Sequence, residues 1–183
     1  MRADARRNYE ALLGAARGLF LEQGSEAPLD EVAKRAGVGA GTLYRHFPSR
    51  SDLLAAVYVS DIEEMCDEAE KFSEQEEPGK ALSEYIDLHL SFSMRNSGIK
   101  KAIREMLADV VPQPEVLTLC KSRMSDVPGH MLVRAQDAGA VRKDLDVTTF
   151  LRMIHGISLA CEDNPDMAPM MLKVMKDGLV KTG

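Results

Sequence analysis

The chain is expected to be all-α, and three features of its 183 residues point there. Apolar residues recur at spacings of three and four through segment after segment, the period of a helix with one buried face. Ala, Leu and Met are plentiful while runs of β-branched residues are missing, and aromatics are only 5% with no Trp. Turn formers separate the periodic segments, as at Gly24, Gly37, Pro78-Gly79 and Asn164-Pro165. The length is ample for a real core, in one generous domain or two small ones.

Residues 1–7 carry Arg2, Arg6 and Arg7 against Asp4 alone and read as a frayed start. Asn8 suits a helix cap, and Tyr9, Leu12, Leu13, Ala16, Leu19 and Phe20 then mark the buried face of a first helix. Gly14 and Gly18 within it each cost about 1 kcal/mol relative to Ala, which suggests close packing at those positions. Gly24 ends it. A second helix opens at Pro28, which suits a first helical position, and has Asp30 and Glu31 where the helix dipole favours carboxylates. Val32, Ala33 and Ala36 share its inner face, Gly37 supplies the left-handed stop, and Val38 fills the corner. From Ala40 to Phe47 a third helix turns Leu43 and Phe47 inward and Thr42, Tyr44, Arg45 and His46 outward or to an edge. Two short helices about a glycine turn are a helix-turn-helix, whose second member can enter a DNA major groove.

The string AGVGAGTLYRHFPSRSDLL, from Ala36 to Leu54, closely resembles the DNA-binding signature of the TetR family of transcriptional regulators. It matches at Ala36, Gly37, Val38, Gly41, Thr42, Leu43, Tyr44, His46, Phe47, Ser49, Leu53 and Leu54. The whole is similar to the actinobacterial SbtR-like branch of that family. The resemblance implies a three-helix DNA-binding head over residues 1–48, followed at 49–183 by a helical domain for ligand binding and dimerisation. Where the family usually has Thr, Ser and Lys, this chain has Pro28, Gly39 and Arg50, which removes two hydroxyls from the phosphate-facing set. Arg50 keeps a charge and a forked donor set for phosphate. The residues expected at DNA are Arg6, Arg7, Gly39, Ala40, Gly41, Thr42, Tyr44, Arg45, His46 and Arg50. Arg6 and Arg7 would touch phosphate or an adjacent minor groove. Thr42, Tyr44 and His46 can donate to phosphate, and Gly41 lets the backbone approach. Base reading falls to Ala40, Gly41, Thr42 and Arg45, with Arg45 suited to guanine O6 and N7.

Beyond the head, Ser49 and Asp52 form a capping pattern for a fourth helix running to about Phe72, the element that moves between ligand and head in the family. Its N-terminal amides offer a further phosphate anchor. Ser73 to Lys80 reads as a linker. Helices are then expected over Ala81–Met94, with Leu82, Tyr85, Ile86, His89, Leu90 and Phe92 or Ser93 on a mostly buried face, and over Ile99–Val110. Another runs from Pro114 to Met124, with an interruption around Val127-Pro128-Gly129 and a resumption over His130–Ala138. Asp146 caps a helix from Val147 to about Cys161, and a last helix spans Asp166–Val180. The wide apolar faces of the last two helices serve either as core or as a four-helix homodimer interface; the resemblance implies the latter.

Charge is divided unevenly. The net charge is −6, yet residues 1–50 sum to +2 and the remainder to −8, so the acidic part belongs away from phosphate. Cys66, Cys120 and Cys161 are scattered, odd in number and without a CxxC pair, which argues for reduced thiols. No segment is apolar enough to span a bilayer and no signal core follows the charged start, so a soluble, cytoplasmic protein with no membrane partner is expected. His89, His130 and His155 lack ligand spacing, so no metal is expected, and no cofactor fingerprint appears. Catalytic spacings are missing as well, which sets a helical enzyme or carrier aside.

Ten of the eleven Met lie at or after Met65, and Met suits both a plain core and an adaptable cavity. Helix faces select Tyr85, His89, Phe92, Met106, Met124, Met131 and His155 as the candidate pocket lining for a small apolar or amphipathic ligand. The expected function is a dimeric, ligand-responsive regulator, most readily a repressor released from a pseudo-palindromic double-stranded operator. The alternative is a DNA-binding regulator without a small-molecule ligand, constitutive or controlled by a protein partner.

Overall fold

The computed structural model describes the backbone of residues 2–106, 115–162 and 164–180, and the side chains of 3–103, 122–162 and 164–180. Its helices are α1 (Arg2–Gln23), α2 (Leu29–Arg35), α3 (Ala40–His46), α4 (Arg50–Gln75), α5 (Pro78–Arg95), α6 (Ser97–Met106), α7 (Glu115–Asp137), α8 (Val147–Ala160) and α9 (Ala168–Leu179). A 3₁₀ turn over Pro165–Met167 precedes α9. Among the described residues there is no strand; Val141 and Val180 form a lone antiparallel bridge, beside which the Arg142 amide donates to the Leu179 carbonyl at 3.0 Å. The all-α expectation holds.

Two compact units emerge, Met1–Asp61 with Asn96–Leu117, and Ile62–Arg95 with Thr118–Gly183. Compactness therefore divides α4 internally, further along than the boundary expected after residue 48.

In the first unit Leu12, Ala16, Leu19 and Phe20 of α1, Val32 and Ala33 of α2, Leu43 of α3, and Phe47, Leu53, Leu54 and Val57 beyond are all buried, and α1, α2 and α3 pack on one another. α2 ends in a Schellman motif: Val38 N–H donates to Ala33 O at 3.0 Å and Gly37 N–H to Lys34 O at 3.1 Å, with Gly37 at φ +70°. α7 closes the same way through Ala140, Ala135 and Gly139 at φ +71°. Asn8 caps nothing. α1 begins at Arg2 and carries Asn8 inside it, so residues 2–7 are its opening turns rather than a frayed start. Of the two α1 glycines, Gly18 is the packed one: a Cβ there would stand 3.3 Å from Arg35 Nη1, whereas at Gly14 nothing lies within 4 Å. Pro28 sits one residue ahead of α2 as its N-cap, its carbonyl taking the Glu31 and Val32 amides.

The expected linker is nearly absent. Only Glu76 and Glu77 separate α4 from α5, because Pro78 opens α5 at its first position, where the N–H would have no intrahelical partner anyway. Nor does Pro128 break α7. It removes the hydrogen bond to the carbonyl four residues back, but buried Val127, Met131, Leu132 and Ala135 hold the turns on either side. α8 starts as expected, with Asp146 accepting from the Thr149 amide at 2.9 Å. The expected helix end at Val110 lies outside the described residues, as does the Pro112–Pro114 punctuation.

Within the second unit α5 buries Leu82, Tyr85, Ile86, His89, Leu90, Phe92 and Ser93, the face expected from its spacing, and packs on α8 and α9. Leu90, Cys161 and Ala168 form one buried cluster, fringed by Met94, Ile157, Met171 and Leu172.

Candidate nucleic-acid interface

α3 is too short to be stable alone. It is held by what lies beneath it: Leu43 is its one buried residue, and the amide of buried Phe47 donates back to the Leu43 carbonyl at 2.8 Å. Everything else on α3 is at least partly open to solvent, with Gly39, Ala40, Gly41, Tyr44 and Arg45 exposed and Thr42 and His46 half-buried. The sequence thus builds a helix with one fully buried side chain, Leu43.

The ten residues expected at DNA do different things in the free chain. Tyr44 is 48% exposed and extends from the outer face. Arg45 folds back on α3, its Nε donating to the Gly41 carbonyl at 3.2 Å and Nη2 to Thr42 Oγ1 at 3.0 Å. His46 lies in an aromatic group with Tyr9 (ring centroids 6.0 Å apart, edge-on) and Phe47 (6.2 Å), while Tyr9 and Phe47 stand 5.2 Å apart. It therefore helps fasten the end of α3 to α1. Arg6 and Arg7 are exposed and pair with Glu10 and Asp4 on their own helix, weak contacts that an incoming phosphate can displace.

Arg50 departs most from expectation. Its Nη1 donates to two backbone carbonyls, Ser25 at 2.9 Å and Ala27 at 2.7 Å, so the guanidinium ties the start of α4 to the α1–α2 connection. The reciprocal Ser49–Asp52 box occupies the same helix start: the Ser49 amide and hydroxyl both reach Asp52 Oδ2, at 3.0 and 2.7 Å, and the Asp52 amide reaches Ser49 Oγ at 3.2 Å. A carboxylate already sits there, which disfavours a second anion.

Several contacts were not anticipated. Arg17 on α1 meets Asp61 on α4 at 2.5 Å, with the Asp61 side chain 2% exposed and that of Arg17 28%. Its Nη2 also donates to Ser60 Oγ at 3.2 Å. No short-range pattern announces a pair 44 residues apart. The Thr42–Arg45 bond was legible, since residues three apart on a helix are neighbours. On the far side of α1, Arg35 grips Glu22 with two bonds of 2.8 Å, and that pairing holds the Glu22 carboxyl below its ordinary range.

The candidate pocket residues divide as well. Tyr85, His89, Phe92 and Met131 are buried in the second unit, and Met124 is half-buried. The Tyr85 hydroxyl shares a 2.8 Å hydrogen bond with His89 Nδ1, and its ring lies 6.3 Å from that of Phe150, which the helix-face reading missed. Burial, and secondarily the Cys66 sulfur, push the Tyr85 phenol well above its usual range, so it stays protonated. His155 does not join them; it stands on the exposed side of α8, while Phe150, Ile154 and Ser158 form the buried side. The Met106 side chain lies outside the described residues. Along α8 and α9, Met153, Leu159, Met170 and Val174 are exposed, Met170 by 67% and Val174 by 64%. No helix among the described residues is long and apolar enough to cross a membrane.

Comparison with known proteins adds a consistent set of likenesses. Residues 12–57 match the bacterial regulatory proteins of the tetR family, and residues 77–181 match the C-terminal domain of SbtR-like transcriptional regulators. The HTH-type transcriptional regulator UidR of Escherichia coli K12 is 24% identical over 158 residues, which is 84% of this chain and 79% of UidR. The crystal structure of a TetR transcriptional regulator from Streptomyces coelicolor superimposes with a TM-score of 0.78 at 28% identity, covering 95% of this chain and 99% of that one. For a TetR transcription regulatory protein from Mycobacterium vanbaalenii the values are 0.74, 30%, 98% and 99%.

Proposed function

The chain belongs to the TetR family of DNA-binding transcriptional regulators, with an SbtR-like second domain, and on that premise we propose that it is a ligand-responsive repressor. A homodimer holds a pseudo-palindromic operator with two copies of α3 in successive major grooves, about 34–36 Å apart. The observation that carries the reading is the α3 surface: one buried leucine, with Tyr44 and Arg45 exposed, Thr42 half-buried beside them, and hydrogen-bonding atoms on all three. Arg6, Arg7 and the backbone at Gly39, Ala40 and Gly41 complete the contact set, His46 adds an edge contact, and Arg50 acts chiefly through the placement of the helix pair.

Dimerisation is assigned to α8 and α9. Met153, Leu159, Met170 and Val174 are large apolar side chains left open in the single chain, and a two-fold pairing would cover them. Regulation is assigned to the buried set on α5 and α7, Tyr85, His89, Phe92 and Met131, where a small apolar or amphipathic molecule would displace packed side chains. Release then needs only unequal affinity for two shapes of the dimer, about 1–3 kcal/mol of coupling. The protein works where its operator is, in the cytoplasm.

Selection of bound duplexes from random DNA, with the full-length protein at moderate salt, tests this reading. Enrichment of an inverted repeat with half-sites one helical turn apart, bound by a particle of two chains, is the expected result. Binding with no preference over scrambled competitor, or a single-chain particle on DNA, overturns it. The selected operator complex is then challenged with amphipathic small molecules, and release by at least one of them is expected.

A further inference from the structure

We propose that Thr42 is a positioning residue for Arg45, and that the two side chains act as one unit reading a guanine in each operator half-site. The inference rests on the DNA-binding reading above and deepens it. A guanidinium carries five N–H donors in a rigid plane. In α3 two of the five are spent on the helix itself, Nε–H on the Gly41 carbonyl (3.2 Å) and one Nη2–H on Thr42 Oγ1 (3.0 Å). Nε and Nη2 share one edge of the planar guanidinium, and both bonds are assigned to that edge. The three that remain are the two on Nη1 and the second on Nη2, and one from each nitrogen points off the end of the fork in parallel. That parallel pair is the one that matches O6 and N7 of guanine.

The bonds to the helix thus take up the edge of Arg45 that base reading does not need. They also restrict a side chain that otherwise surrenders its rotamer freedom on docking, so part of that loss is taken when α3 folds. The Thr42 hydroxyl accepts from Arg45 and keeps its own proton for a phosphate. One atom therefore links the contact that sets register to the contact that reads sequence. Among the four residues expected to read bases, Ala40 and Gly41 have no polar side-chain atoms, which concentrates side-chain hydrogen-bonded reading on this pair.

Thr42→Val, Thr42→Ser and Arg45→Ala are compared with the wild type on the selected operator and its single-base variants, after confirming that each variant melts as a folded protein. Wild type should discriminate against loss of one guanine per half-site about tenfold to a hundredfold, from the usual strength of a bidentate pair. Thr42→Val should lose most of that ratio at the same position, Thr42→Ser should keep it, and Thr42→Val in an Arg45→Ala background should flatten it no further. If Thr42→Val weakens every duplex equally and leaves the ratio intact, or if Arg45→Ala does so, the proposal fails while the DNA-binding reading stands. A wild-type protein that enriches no sequence overturns that reading and the proposal with it.

Discussion

α3 and α5 are built on opposite principles. α3 has seven residues and buries one; α5 has eighteen and buries eight. α3 takes its stability from the elements beneath it, through Leu43, Phe47 and the Tyr9–His46–Phe47 rings. α5 supplies stability to its unit, with Tyr85, Ile86 and Phe92 enclosed. A surface that has to meet another molecule can change without unfolding the protein; a face that holds a core cannot. Substitutions in the two helices should therefore separate binding from folding.

The largest effect is expected at α5. Phe92 is fully enclosed, so Phe92→Ala should cost about 3–5 kcal/mol in urea-induced unfolding through lost burial and a residual cavity. A cost near zero would mean that the site collapses or was never filled, and the contrast with α3 would lose its basis. Next is the fastening of the head. Asp61→Asn leaves Arg17 facing a neutral partner in a nearly closed site and should destabilise the first unit. The loss should fall short of the about 3–5 kcal/mol typical of fully buried pairs, because Arg17 keeps some solvent. Hydrogen exchange in α1–α3 should accelerate while that in α8 stays unchanged; equal acceleration in both would show that the pair does not act locally.

Gly41→Ala sharpens the contrast, since its two effects should have opposite signs. A Cβ at Gly41 meets nothing within 4 Å, so the change should stabilise folding by about 0.5–1 kcal/mol through helix propensity. The same methyl stands where the backbone is expected to approach DNA, so operator affinity should fall. Higher melting temperature with undiminished affinity would remove Gly41 from the interface.

The smallest effect concerns the start of α8. Asp146 accepts from the Thr149 hydroxyl and amide, and these bonds, the hydroxyl first, hold its carboxyl below the ordinary value of 3.8. A carboxyl depressed in the fold stabilises above its unfolded pKa, and that contribution disappears as pH falls through the folded one. Asp146→Ala should therefore lower the melting temperature slightly at neutral pH, and the gap to wild type should close in acid below that ordinary value. A gap independent of pH would assign the effect to packing.

Much of this fold could be read from local patterns. Gly37 and Gly139 mark helix ends because only a residue without Cβ takes the left-handed conformation cheaply, and Ser49–Asp52 and Asp146 mark helix starts for equally local reasons. The buried face of α5 followed from spacing alone. Reading failed where a local breaker was outvoted: Pro128 inside α7 and Pro78-Gly79 at the head of α5 looked like interruptions, yet flanking burial carries the first through and a first-turn position tolerates the second. Of the candidate site, the exposed face of α3 was legible, whereas Arg50 was read by its charge and found by its geometry on two carbonyls.

The sequence by itself determined the helical class, the glycine-turned helix pair and the family signature, because each is written in residues that follow one another closely along the chain. Tertiary structure decided which residues those helices spend on one another: Arg17 on Asp61, Arg35 on Glu22, Tyr9 on His46, and Phe150 against Tyr85. Such pairings join positions from 13 to 65 residues apart, and no periodicity along the chain encodes which distant side chain arrives opposite. That is settled only when the helices pack and each buried charge or ring must find a partner.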